Sequence, residues 1–326
     1  MRLIKTEDAV GHVLCHDMTQ IIKDQYKDAR FRKGHVVTEE DIPVLLSMGK
    51  EHLYVWEMTS GMVHENDAAE RLLALCGQEN MIRSGVKEGK IELKAACDGV
   101  FLVDSARLVA VNSQDEVMIA TRKGGMAVRE GDKLAGMRVI PLIIEEEKLR
   151  KAEQAAGDKP LLSLKPYVRK TACIVATGGE VKKGLIKDTF TPVVIDKLKT
   201  YGIETLEVVY SGDGVENVRD AVLAMREKKP DMILCTGGMS VDPDDNTPGG
   251  IKAAGANIIA YGAPVLPGAM FLLGYFDDGM PVMGLPGCVM YAGATVFDLV
   301  LPKIAADVPV TRADLAALGE GGLCLG

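Results

Sequence analysis

The stretch DMILCTGGMSVDPDDN, residues 231–246, decides how this chain is read. Residues 231–236 form a short apolar run of the kind found in a strand buried on both faces. Gly237 and Gly238 then let the backbone turn sharply and lie close to a ligand, and Ser240 adds a hydroxyl beside them. Asp242, Asp244 and Asp245 follow at once. Hard carboxylate oxygens next to a phosphate cradle are what Mg²⁺ uses to bridge protein and substrate. The stretch therefore points to a phosphorylated ligand and a metal.

Working outward, the same ending recurs. Residues 171–180 read TACIVATGGE, and residues 281–288 read PVMGLPGC. Between them, the pattern predicts a helix opened by Thr191 and Pro192, a strand over 203–210 and a helix over 213–229. A short helix is expected from Thr247, and a last long helix from about Val289 with a break at Pro302. Strands and helices that alternate in this way imply a parallel sheet covered on both faces, a three-layer α/β/α domain. In such a sheet the ligand sits beyond the carboxyl ends of the strands. The three turns should then share one pocket, lined by Thr177, Gly178, Gly179 and Glu180, by Thr236, Gly237, Gly238, Met239 and Ser240, and by Pro286, Gly287 and Cys288. Lys182, Lys183, Lys187 and Asp188 follow the first turn.

The rest of the chain carries less chemistry. Residues 1–57 read as an α+β segment, in which Thr38 and Asp41 have capping-box spacing and Gly49 ends a helix. In the module over 58–144, a helix from Asp67 to Gly77 precedes β-rich runs (IELKA, VFLVD, RLVAV, VMIAT, MRVIPLII) separated by polar turns, as in a small barrel or sandwich. Residues 145–167 read as a polar linker, 168–308 as the α/β domain and 309–326 as a C-terminal tail whose last stretch, GEGGLCLG, is expected to fray. The five histidines all precede residue 65, away from the expected pocket.

Composition narrows the function further. A net charge of −8 with 47% hydrophobic and 26% charged residues describes an ordered globular chain without a nucleic-acid footprint. Seven cysteines, an odd number without any CxxC, read as reduced thiols, with Cys173 and Cys235 packed in strands. No run approaches a membrane span, and residues 1–10 lack the apolar core of a signal peptide, so a cytoplasmic protein is expected. Walker, GxGxxG, HExxH and GxSxG motifs are all missing.

ATGGE with GLIKDTF, CTGGMSVDPDD, PVLPGAM and PVMGLPGC, in this order and spacing, resemble the molybdopterin-binding domain of molybdenum-cofactor biosynthesis. That domain is shared by molybdopterin adenylyltransferases, molybdotransferases and the competence-damage-inducible proteins, and the likeness covers about residues 168–306. FRKGHVVTEEDIPVLLSMGKEHLYV is similar, more loosely, to the amino-terminal part of the molybdotransferases. The resemblance implies that Gly237, Gly238 and Ser240 cradle the pterin phosphate. It makes Asp188 a catalytic or metal carboxylate, gives Asp244 or Asp245 the role of the acid after the GGxS loop, and assigns Pro286 and Gly287 to the LPG turn. The activity implied is Mg²⁺-dependent insertion of molybdate into adenylated molybdopterin with release of AMP. A homo-oligomer and a molybdenum-enzyme client are implied as partners.

A carrier of molybdopterin without turnover is the second reading, and a nucleotide pyrophosphatase the third. The departures from the family pattern lie at ligand-reaching positions. Gly179 replaces the acid of T-G-D-E, and Asp188-Thr189-Phe190 replaces D-S-N. Asp242 stands for the glycine after GGxSV, Ala269 for the lysine of P-G-K-P and Cys288 for the asparagine after L-P-G.

Overall fold

The computed structural model describes residues 2–22, 26–56, 61–240 and 245–323. The chain divides into two units, Met1–Cys97 with Phe101–Gly124 and Arg129–Leu164, and Asp98–Val100 with Gly125–Val128 and Lys165–Gly326.

In the first unit one half of the expected capping box forms: the Asp41 side chain reaches back to Thr38, but the Thr38 side chain accepts no N–H of the helix. The N–H and hydroxyl of Thr38 both donate to Asp41 Oδ2, at 2.8 and 2.9 Å, at the start of helix Asp41–Ser47. The second helix, Glu65–Cys76, begins two residues before the expected Asp67, because His64 Nδ1 accepts the Asn66 N–H and serves as its cap. Strands Val117–Thr121, Lys133–Val139, Ile91–Ala95 and Met81–Arg83 pair in that order, consistent with the β-rich rhythm. One of the runs breaks it. RLVAV, expected as a strand, lies in helix Ser105–Asn112, where Asp104 Oδ1 caps the Arg107 N–H at 3.1 Å. Short apolar runs fit either element, and here the cap decides. Residues 145–167 hold helix Glu146–Ala156, which buries Leu149, Ala152 and Ala156, and then strand Leu162–Pro166.

The second unit is built on a six-stranded sheet. In chain order its strands are β1 (Thr171–Thr177), β2 (Glu204–Ser211), β3 (Met232–Thr236), β4 (Asn257–Tyr261), β5 (Leu272–Tyr275) and β6 (Pro281–Leu285). They lie in the order β2-β1-β3-β6-β5-β4. β2, β1, β3 and β6 run parallel, as the unbroken apolar strands implied. β5 is antiparallel to both neighbours, so the sheet is mixed at that edge.

Alternate residues of the strands feed two cores. Ala172, Ile174, Leu234 and Met283 pack with Val194, Leu198, Phe297 and Val300 on one face. Cys173, Val175, Ile233 and Cys235 pack with Val218, Val222, Met225 and Ile251 on the other. Both faces are therefore covered, and each fully buried aliphatic side chain contributes about 1.5–3 kcal/mol. The two strand cysteines are packing residues, and burial pushes the Cys235 thiol up to about 12.

Three local expectations are corrected. Thr191 was expected to cap helix Phe190–Lys199 but is 3% exposed inside its first turn, and Asp188 performs the capping. The last long helix spans Val296–Ala305, not from Val289, because the Thr295–Asp298 capping box starts it, and Pro302 lies inside it. Residues 309–326, read as a C-terminal tail, include helix Arg312–Ala317 with its own Thr311–Asp314 capping box, ahead of the stretch expected to fray.

At the amino ends of the strands Asp231 anchors the sheet. Its Oδ2 accepts the N–H groups of Lys170 and Thr171 at 2.6 and 2.9 Å and the Thr171 hydroxyl at 2.9 Å. Burial opposes ionisation of Asp231, but these hydrogen bonds and Arg169 together hold its pKa below the usual range. A carboxylate depressed in the folded state stabilises above its unfolded pKa, near 4, and loses that contribution as pH falls through the folded value. Asp231→Ala is expected to cost about 1–3 kcal/mol at pH 7. Urea midpoints measured from pH 7 to pH 2.5 should show wild type and variant converging below about pH 4. A gap of constant size would show that the carboxylate charge has no part in the anchoring.

Candidate functional site at the carboxyl ends of the strands

Register places the strand ends side by side. Thr177 stands opposite Ser211, Ala176 opposite Thr236, and Thr236 opposite Leu285. The turns that leave β1, β3 and β6 therefore open on one edge, as their shared glycine pattern implied.

A threonine network ties the first two turns together. The Thr177 hydroxyl donates to the Thr236 carbonyl at 2.9 Å and lies 3.1 Å from the Thr247 hydroxyl, which donates to the Gly237 carbonyl at 2.8 Å. The Thr247 N–H donates to the Gly238 carbonyl. Gly237 and Gly238 turn through φ +81° and +56°, and neither position has room for a side chain. A Cβ at Gly237 would stand 2.3 Å from the Thr177 carbonyl oxygen, and one at Gly238 would stand 2.7 Å from Thr247 Oγ1. Only a bare backbone fits there, and a bare backbone can approach a ligand closely.

The other expected site residues divide by environment. Thr236 is buried, while Glu180 and Ser240 are exposed. Met239 is 4% exposed, and its sulfur lies where a Cβ on Gly284 would be, so its side chain packs on the sheet. What Met239 offers the crevice is backbone: the Tyr261 hydroxyl donates to the carbonyls of Met239 and Ser240 at 2.9 and 3.3 Å. Pro286 is buried, and the one-turn 3-10 helix Gly287–Met290 follows it. Burial pushes the Cys288 thiol up. Gly287 has open space around it, so that glycine is not required by packing.

Asp188 is brought to the third turn. Its neighbour Thr189 donates a hydroxyl hydrogen bond to Met290 Sδ at 3.0 Å. Asp188 Oδ1 accepts the N–H groups of Phe190 and Thr191 at 2.9 and 3.0 Å, which holds the carboxyl group in place. Among the described residues its second oxygen, Oδ2, is buried and has no hydrogen-bond partner within 3.5 Å, although the Asp188 side chain lies close enough to Tyr210 to act on its phenol. Burial raises the Tyr210 phenol, and the Asp188 charge raises it further; burial and then the Asp245 charge do the same for Tyr261. These tyrosines stand on β2 and β4, the two edge strands of the sheet. Asp242 and Asp244, named as metal and catalytic residues, lie outside the described residues. Among the described residues no three His, Cys, Asp or Glu side chains converge to hold a metal ion.

Sequence reasoning missed three contributors. Asp213 belongs to a fourth turn, SGDG after β2, whose glycines were a signal comparable to TGG. Its Oδ2 accepts the Gly179 N–H at 3.0 Å and lies 2.6 Å from where a Cβ at residue 179 would stand. An acid from the neighbouring strand thus occupies the first turn, where T-G-D-E would place its own. Thr247 was read only as a helix start, and Tyr261 had no local signal at all.

Several comparisons bear on this geometry. Residues 173–306 match a family model described as a probable molybdopterin binding domain, and residues 3–57 match a domain of unknown function. A CinA-like protein of Mycobacterium tuberculosis is 33% identical over 76 residues, 23% of this chain and 18% of that protein. One from Petrotoga mobilis is 32% identical over 76 residues, covering 19% of its length. The chain thus spans less than a fifth of these relatives. Among solved structures, CinA of Thermoplasma acidophilum aligns over 42% of this chain and 98% of its own, with 18% identity and a TM-score of 0.35. A molybdenum cofactor biosynthesis protein of Pyrococcus furiosus aligns over 97% of this chain and 64% of its own, with 13% identity and a TM-score of 0.28. No helix among the described residues is long and apolar enough to cross a membrane. The sheet and the glycine turns fall within residues 173–306, and over that segment the chain is similar to the probable molybdopterin binding domain.

Proposed function

We propose that the chain binds adenylated molybdopterin across the strand ends and inserts molybdate with release of AMP. The observation that carries this reading is the convergence of the Gly237–Gly238 turn, the Asp213-filled first turn and Asp188 at one edge of the sheet. Phosphates would lie against the two glycines, where no side chain intervenes. Lys182, beside the Gly212 turn, supplies positive charge in a chain whose overall charge repels anions.

The residues present also fit a Mg²⁺ ion. Asp188 Oδ2 is a buried acceptor without a hydrogen bond among the described residues, and Mg²⁺ commonly takes one or two protein carboxylates, with water and substrate phosphates completing its shell. When bound, the ion would neutralise charge on the phosphate oxygens. The protein's own part is to orient. Oδ1 fixes the carboxyl group through two N–H donors, and the threonine network keeps the glycine turn from shifting against β1. Such positioning accounts for much of phosphoryl chemistry. A homo-oligomer and a molybdenum-enzyme client belong to this reading as partners.

A carrier that binds molybdopterin without turnover is the second reading. It is favoured by Ala269 and Cys288, which replace a cation and an amide at ligand-reaching positions. The test mixes purified protein with adenylated molybdopterin, Mg²⁺ and molybdate and follows AMP, with ADP-ribose as a parallel substrate. AMP from the first mixture alone supports the molybdotransferase. Tight binding without AMP identifies the carrier, and hydrolysis of ADP-ribose identifies pyrophosphatase chemistry.

A further inference from the structure

The first unit holds a cavity of about 380 Å³ that has no part in the chemistry above. Arg32, Lys33, Trp56, Glu65, Glu88 and Arg138 line it. Glu65 is the informative member. At 5% exposure it is the only carboxylate, Lys or Arg among the described residues that is fully buried. Two glycines make room for it: a Cβ at Gly34 would stand 3.1 Å from Oε1, and one at Gly89 would stand 2.6 Å from Oε2. Among the described residues no hydrogen bond reaches either oxygen. The cation paired with it, Arg138 Nη2, stays 3.7 Å from Oε2, beyond hydrogen-bond range. Burial pushes this carboxyl group up and the Glu88 charge adds to the rise, against the positive charges of Arg138 and Lys33.

A carboxylate that lines a cavity without a hydrogen bond from the described residues keeps its acceptors open, and a ligand that brings donors fills them. The rim states the rest of the requirement. Arg32 stands 3.5 Å from Glu88 with both side chains largely exposed, Lys33 is exposed beside it, and Trp56 is 40% exposed. The fitting ligand has two adjacent N–H donors for Glu65, a flat ring for the indole and a negative group for Arg32 and Lys33.

We propose that this cavity binds a phosphorylated 2-amino-4-oxopyrimidine ring system, with the ring N–H and the amino group paired to the Glu65 carboxylate. Guanine nucleotides and pterin phosphates share this edge. Adenine presents an acceptor beside its amino group, which an ionised carboxylate cannot satisfy. The volume lies within the ordinary range of small-molecule sites, roughly 300–1,000 Å³. This inference is independent of the activity proposed for the strand-end crevice.

Trp56 is the only tryptophan, so its fluorescence reports on this cavity. The intact chain is titrated with GMP, AMP, neopterin monophosphate and inorganic phosphate. Saturable quenching is expected with GMP, with the pterin or with both, and at least tenfold weaker binding with AMP; the preference between the first two identifies the source. Glu65→Gln should weaken the preferred ligand at least tenfold, and Lys33→Ala, at an exposed position, should weaken it severalfold without changing the melting temperature. Equal response to AMP and GMP, quenching by inorganic phosphate at the same concentrations, or no quenching by any probe would overturn the assignment. So would full affinity in the Lys33→Ala variant, which remains a test if Glu65→Gln does not fold.

Discussion

Gly237→Val is expected to eliminate binding of adenylated molybdopterin and to lower the unfolding free energy by about 3–5 kcal/mol. The position combines two independent prohibitions. At φ +81° a β-branched residue is strained, and its Cβ would stand 2.3 Å from the Thr177 carbonyl oxygen and 2.8 Å from Thr177 Oγ1. Thr177 has little room to retreat, because its backbone pairs with Ser211 of β2 and its hydroxyl is bonded to the Thr236 carbonyl. Strain costs about 1–3 kcal/mol and overpacking a similar amount. Urea denaturation gives the stability change, and calorimetric titration with the ligand gives the binding. Gly287→Ala is the control: its Cβ would meet nothing within 4 Å, and it should change stability by less than about 0.5 kcal/mol. Wild-type affinity in Gly237→Val would move the phosphate cradle elsewhere.

Asp188→Asn is expected to reduce Mg²⁺-dependent AMP release at least ~100-fold while leaving the fold intact. The two oxygens of Asp188 have different duties. Oδ1 caps helix Phe190–Lys199 through two N–H donors, and an asparagine oxygen can accept the same pair. Oδ2 has no hydrogen-bond partner among the described residues, and there asparagine would present an NH₂ group that cannot ligate a cation. The melting temperature should therefore hold in Asp188→Asn, whereas Asp188→Ala should lose the cap at a cost of about 0.5–2 kcal/mol. Undiminished AMP release in the asparagine variant would leave Asp188 as a helix cap and nothing more.

The contrast between what was legible and what was not follows the range of the interactions. β1, β3 and β6 could be read from residues 171–177, 232–236 and 281–285 because both faces of these strands are covered, so apart from terminal threonines they carry no polar side chain. The glycine turns that follow them carry their own local signal. β5 could not be read, because its antiparallel place depends on pairing with β6, from Leu272 opposite Gly284 to Tyr275 opposite Pro281. RLVAV was misread because an apolar run of five residues has no decisive period, and Asp104 settled it from outside the run. The capping role of Asp188 was assigned to Thr191, a more frequent cap type. Asp213 could have been found from the glycines of its SGDG turn, whereas Tyr261 comes from the far edge strand β4 and leaves no spacing in the sequence to be found.

The carboxylate of Asp213, lying where a side chain at residue 179 would begin, couples the two positions. An acid at residue 179 and Asp213 in its present pose compete for one volume and one sign of charge. An acid introduced at residue 179 would first have to turn the Asp213 carboxyl group aside, which breaks its bond to the Gly179 N–H. The two negative charges would then face one another across the first turn, so the glycine and the aspartate act as one unit and a change at either is felt at both.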